Sequence, residues 1–291
     1  MKLGIVTPVL TLNPRAHAAW ERDATFDDVV TIARTAERLG YHHLTCSEHV
    51  AVPAAAAPVR GATYWDPLAT FGYLAAVTTT IRFATFVLVL GYHHPLDIAK
   101  RYGTLDRVTG GRLILGVGVG SLREEFEVLG MPFEGRGARG DDALRALRAS
   151  FGVREPRYDG SHYAFGGMVV SPTASQARVP IWVGGQTERS LRRAVELADA
   201  WTPFRLAPNE VDAALRRARD SEAWAARETS LEIGLQPVPP IDPVADPDGS
   251  RRVVHELTAA GATMLNLRFA HRSLEHYCDQ LAAAMELFGP P

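Results

Sequence analysis

One theme recurs roughly eight times along this chain: a short apolar run rich in strand-forming residues, followed by a stretch whose apolar positions carry helical spacing. The strand-like runs fall near Leu3–Val9, His43–Ser47, Arg82–Leu90, Arg112–Val119, Pro180–Gly184, Ala200–Phe204, Leu231–Val238 and Met264–Phe269. A helix between strands makes the next strand parallel. So many units in one chain favour closure into a (β/α)8 barrel of the TIM type over an open sheet. The competing architecture is a doubly wound sheet with a small second domain. With 291 residues, 46% of them hydrophobic, the chain can build one barrel with a substantial core, read as a single domain over 1–291.

Local signals mark the helices. Phe26, Val29, Val30, Ala33 and Ala36 follow a capping-box pair, Thr25 and Asp28, and Gly40 stands at the expected stop. Ile98, Tyr102 and Leu105 form the buried stripe of a third helix ended by Gly110-Gly111. Leu191, Ala194, Val195 and Ala198 form that of a fifth, capped by Thr187. Residues 156–179 interrupt the pattern with Gly160, Gly166, Gly167 and Pro172 around an apolar Tyr163–Val170 stretch, which reads as an insertion between strands four and five, an excursion or hairpin lid. Ala51–Thr63 is a second candidate cover.

Bulk properties narrow the function. A net charge of −2 gives no general attraction to nucleic acid or anionic membrane, and no apolar run reaches the length of a span. The two cysteines, Cys46 and Cys278, lack metal or redox-motif spacing, and the first residues stop being apolar too early for a signal peptide, so a reduced cytoplasmic protein is expected. Lys2 and Lys100 are the only lysines, and neither is placed for an aldolase-type barrel. The pairs His42-His43 and His93-His94 cannot both point into one pocket from a strand, so no metal site is expected.

Two glycine-rich junctions, Leu113–Ser121 and Ile181–Thr187, run from apolar strands into helical patterns. Backbone amides at such a junction suit an anionic ligand. In a barrel, chemistry sits at the carboxyl ends of the strands, which here gives Thr7 and Pro8, Ser47-Glu48-His49, Val87 to His94, Gly118 to Ser121, Gly184 to Thr187, Thr202 to Phe204, Gln236 and Arg268. Plainer roles compete. His49 alone reads more readily as a packed core histidine, and Glu48 reads also as a loop cap. Among Gly116, Gly118 and Gly120, some serve strand packing, with Gly120 the best placed for a ligand. Asp106 and Gly110-Gly111-Arg112 read as a turn with a structural ion pair at the amino end of strand four.

These residues resemble the luciferase-like flavin and deazaflavin oxidoreductases, most closely the F420-dependent branch. The resemblance rests on Leu39-Gly40-Tyr41 with Ser47-Glu48-His49, Val89 to Pro95, Thr104-Leu105-Asp106 with Gly110-Gly111-Arg112, Leu115 to Glu125, and Pro180 to Trp201, and it weakens after Pro208. It implies hydride transfer between coenzyme F420 and a small organic substrate. Ser47 and Glu48 would lie near the deazaflavin, Glu48 standing where members often carry aspartate, and His49 would act as acid or base. A cis peptide at Phe86-Val87 would lie behind the ring. Gly118, Val119, Gly120 and Ser121 would line ring and ribityl chain, and Gly184, Gly185, Gln186 and Thr187 would hold the phosphate, with Arg189 and Arg192 near the acidic tail. A homodimer is implied as well. The alternatives are an FMN-dependent monooxygenase fed by a partner flavin reductase, and a flavin-binding sensor barrel without turnover.

Overall fold

Strand hydrogen bonding passes from one parallel strand to the next around the sheet and returns to its start. In the computed structural model, which describes residues 1–14 and 16–289, the closed barrel consists of β1 (Lys2–Ile5), β2 (His43–Cys46), β3 (Arg82–Thr85), β4 (Leu113–Gly118), β5 (Ile181–Gly184), β6 (Ala200–Thr202), β7 (Glu232–Leu235) and β8 (Met264–Leu267). The open-sheet alternative is thereby excluded. Register is set by pairs such as Lys2 with Met264, Phe83 with Leu113, and Leu115 with Ile181, and the β3–β4 pairing completes the ring. Arg15, Pro290 and Pro291 of the expected 1–291 domain lie outside the described residues.

The strands follow every expected position; β5 ends at Gly184 as expected, while the others end earlier at their carboxyl ends, with Leu88–Val89 of the third run forming a separate two-residue strand on β4. Val6 to Val9 and Gln236 to Val238 are apolar or extended in composition, yet they form mouth loops instead of ladder. Apolar residues there line a cavity, so hydrophobicity ran on beyond the hydrogen bonding.

Around the barrel lie α1 (Phe26–Arg38), α2 (Pro67–Val77), α3 (Pro95–Val108), α4 (Arg136–Arg148), α5 (Glu188–Leu197), α6 (Pro208–Arg219), α7 (Pro247–Ala259) and α8 (Leu274–Phe288). Asp28 accepts from the Thr25 amide at 2.7 Å to start α1, and Gly40 takes φ +85° at its end, where a side chain would be strained. Its buried stripe is Val29, Ile32, Ala33 and Ala36; Val30 is only half-buried, so Ile32 takes the place expected for it. Fully burying Ile32 and Val29 stabilises the docking of α1 by about 1.5–3 kcal/mol each. Thr187 caps α5 as expected, in a reciprocal pair with Ser190.

Strand alternation divides the side chains between two cores. Leu44, Phe83, Leu115, Val183, Trp201 and Leu265 point out into the helix layer. Ala84, Ile114, Trp182, Ala200 and Met264 cluster inside the barrel. His43 fills the space left by Gly4: a methyl there would come within 2.1 Å of the imidazole, which meets Asn266 Oδ1 at 2.6 Å. Its ring is also edge-on to Trp182 and within 3.0 Å of His42 Nδ1, so the neighbouring histidines touch although their side chains leave the strand on opposite sides.

Residues 156–179 include a hairpin, Tyr158–Asp159 with Ala164–Phe165. It lies on the flank of the barrel. Asp142 of α4 accepts from the Tyr158 hydroxyl and the His162 and Tyr163 amides, while Arg107 of α3 donates to Thr173. Asp106 and Arg112 do form the turn expected at the amino end of β4, but they do not pair with each other. Asp106 accepts from the Ser175 and Gln176 amides, and Arg112 donates to carbonyls of Thr109, Ile81, Ala75 and Thr78. Backbone groups saturate both charges. Among the described residues no helix is long and apolar enough to cross a membrane.

Candidate active site

The inward side chains of successive strands continue past the ladder and surround a cavity of about 340 Å³ at the carboxyl end of the barrel. Parity alone carries them there. Thr45 leads to Ser47, Trp182 to Gly184, Ala200 to Thr202, Gly234 to Gln236 and Met264 through Asn266 to Arg268. Phe86 and Val87, joined by the cis peptide that the family likeness implied, complete the wall between β2 and β5. The Ser47 hydroxyl donates to the Phe86 carbonyl at 2.8 Å and ties the ends of β2 and β3 together. The volume falls within the range of small-molecule sites.

The same parity turns Glu48 away. Its side chain is 6% exposed, accepts from the Val89 amide at 2.7 Å, and meets His93 Nε2 at 2.7 Å. Both carboxylate oxygens are thus spent on the segment that follows β3, and Glu48 does not line the cavity.

His49 stands at the rim. Its Nδ1 lies 2.7 Å from Glu125 Oε2, which as a carboxylate can only accept, so Nδ1 carries the proton. Glu125 is 1% exposed and also accepts from the Tyr92 hydroxyl at 2.6 Å and the Val50 and Ala51 amides. Burial pushes the Glu125 carboxyl up, but the hydrogen bonds from His49 and Tyr92 outweigh it and hold the group below its ordinary range. The Tyr64 ring packs edge-on against His49 with centroids 4.5 Å apart. Among the described residues nothing engages His49 Nε2. Sequence reasoning missed Glu125. It sits in Arg123-Glu124-Glu125, which reads as a solvated helix turn, and only the short helix Arg123–Val128 aims it at residues 75 positions away.

Of the remaining expected site residues Gly184 lines the cavity, while Gly118, Val119, Gly120, Ser121, Gly185, Gln186 and Thr187 lie on the β4–β5 rim, outside the cavity wall. A methyl on Gly118 or Gly184 would come within 2.7 or 2.9 Å of the Val87 side chain, so these glycines admit Val87 between the strands. Val119 packs on α4 at Gly140, and Gly120, at φ +79°, rests on Phe126 and Val89, so its smallness serves packing. Ser121, Gln186 and Thr187 are exposed. The amides of Gly185 and Gln186 find no acceptor among the described residues at the N-terminus of α5, where the helix dipole favours negative charge. Arg189 extends from this helix over Gly137.

A second group, also missed, lies across the cavity. Glu21 accepts from the Val9 and Ala18 amides, and Trp20 Nε1 donates to His271 Nδ1 at 2.9 Å. Burial lowers the His271 pKa to about 4, so the imidazole is neutral, and its Nε2 lies 3.5 Å from Glu21.

The chain is 30% identical over 230 residues to an uncharacterised protein of Mycobacterium tuberculosis, covering 75% of this chain and 78% of that relative. Its fold matches a monooxygenase from Streptomyces bottropensis at a TM-score of 0.74, with 21% identity over 99% of this chain and 98% of that one. It also matches an F420-dependent secondary alcohol dehydrogenase at 0.72, with 14% identity and the same coverage. With the model of the luciferase-like monooxygenases matching residues 1–283, the chain belongs to that family.

Proposed function

We propose that this protein is an F420-dependent oxidoreductase which exchanges a hydride between the deazaflavin and a small organic substrate bound in the barrel-mouth cavity. The observation that carries the proposal is the Glu125–His49 pair: a buried carboxylate fixes one imidazole nitrogen and leaves the other to hold or move a proton. The choice of F420 over flavin is supported by the resemblance around Ser47-Glu48-His49. The group would supply the hydride, and the chain does the rest.

The residues present suit such a group. Val87 and Gly184 form an apolar edge for a flat ring, and the unengaged amides of Gly185 and Gln186 suit phosphate oxygens. Ser47 and Glu48 hold the ends of β2 and β3 in register through Phe86 and Val89, which positions the wall. Val87 and the largely apolar wall around it would limit competing water beside a bound ring. The protein would work as a cytoplasmic homodimer, which sedimentation of the purified chain tests.

A second reading, a flavin-binding barrel without turnover, is favoured by one observation: neither Glu48 nor His49 lines the cavity. Side-by-side titration with F420 and FMN decides the cofactor. Tight FMN binding without an F420 response points to the flavin monooxygenase with its partner reductase. Substrate turnover that persists undiminished in His49→Ala removes the role given to that residue.

A further inference from the structure

We propose that the substrate is an organic acid whose carboxylate is held by Arg268 and Gln236 on the β7–β8 side of the cavity. The inference rests on the reading just given, that substrate occupies this cavity beside a redox ring. Among the described residues, Arg268 is the only arginine in the cavity wall and Glu21 the only acid. Glu21 is engaged by the Val9 and Ala18 amides. The half-buried guanidinium of Arg268 makes no hydrogen bond or ion pair among the described residues, although buried polar groups ordinarily find partners. Burial pulls its pKa down, and only the charge of Glu21 opposes this.

Two more groups stand idle beside it. The Gln236 amide has no partner among the described residues. Tyr277, delivered to the same wall by α8, is 1% exposed, and its hydroxyl has no partner among the described residues. Arg268, Gln236 and Tyr277 thus line the β7–β8 side of the mouth without a described partner for their side-chain donors, away from the β4–β5 rim where the cofactor phosphate is proposed to sit. A planar fork of guanidinium donors matches a carboxylate in two-point contact. Arg268 and Gln236 also line a second cavity of about 800 Å³ between α6 and α7.

The test needs no known substrate. Calorimetric titration compares benzoate with benzamide, its uncharged analogue, on the unaltered protein and on Arg268→Met and Arg268→Lys, with circular dichroism confirming the fold. Benzoate is expected to bind at least about tenfold more tightly than benzamide, a preference that Arg268→Met abolishes and Arg268→Lys partly keeps. No benzoate binding, equal affinity for the two, or a preference surviving Arg268→Met overturns the proposal. F420 titration of the same variants separates the two readings. Loss of F420 and benzoate together places Arg268 in the cofactor site and overturns the substrate class. A preference for benzoate in a protein that binds neither F420 nor FMN overturns the redox reading and leaves the anion subsite standing.

Discussion

Glu48 and His49 are adjacent in the chain and do different work. The strand alternation that carries Ser47 into the cavity rotates Glu48 toward Val89 and His93, where it holds a loop, and leaves His49 at the rim with Glu125 behind it. Replacing His49 with alanine is expected to lower kcat by about 10²–10⁴-fold, the usual contribution of a positioned acid or base. Glu125→Gln keeps the size and removes the charge that orients the ring, so kcat should fall at least about tenfold with little change in KM. Steady-state kinetics on an identified substrate checks both, and unchanged kcat in Glu125→Gln would show that the pair is merely structural.

At the scale of elements, glycines and caps decide how closely strands and helices approach. A methyl at Gly116 would lie 1.9 Å from the Thr85 carbonyl, a backbone atom of the paired strand that cannot step aside. Gly116→Ala should therefore cost about 1–3 kcal/mol or more, read as a lower urea midpoint at unchanged slope. Thr187→Ala removes the cap of α5 and should cost about 1 kcal/mol, or about 2–4 °C in Tm. The Thr25–Asp28 pair and the Thr187 cap were legible because each acts within three residues, whereas the reply of Ser190 to Thr187 came from the structure. The ends of the strands were not legible. Hydrogen bonding stops where the barrel mouth opens, after the Val6 amide has bonded to the Leu267 carbonyl, and nothing in the apolar run beyond marks that point.

For the whole molecule, burial keeps several histidines neutral, and this ties stability to pH. His42 and His271 are pushed down to about 4 and His43, wholly inside the barrel, to about 3. Because their folded pKa values lie below the unfolded value of 6.5, unfolding takes up protons. Their contribution is intact above pH 6.5 and is lost as the pH falls toward 4. Glu125 and Asp199, held below their ordinary values, add losses of the same sign at lower pH, while Glu21, which burial raises, works in the opposite direction. Denaturant melts between pH 7 and 4.5 should show stability falling steadily, by up to about 1.4 kcal/mol per pH unit for each neutral histidine. His43→Gln, which cannot titrate, should flatten that slope. An equal slope in the variant would place the proton uptake elsewhere.

The order of strands and helices, their inward and outward parity and their caps were readable from the chain, because each depends on residues a few positions apart. Parity even brought Gln236 and Arg268 to the mouth in advance. What folding alone settled is the partner of each polar group: Glu125 behind His49, His93 against Glu48, Trp20 on His271, and no described partner for Arg268. Such contacts join segments dozens to hundreds of residues apart, and they follow from how closed strands and packed helices meet in space, which no local periodicity records.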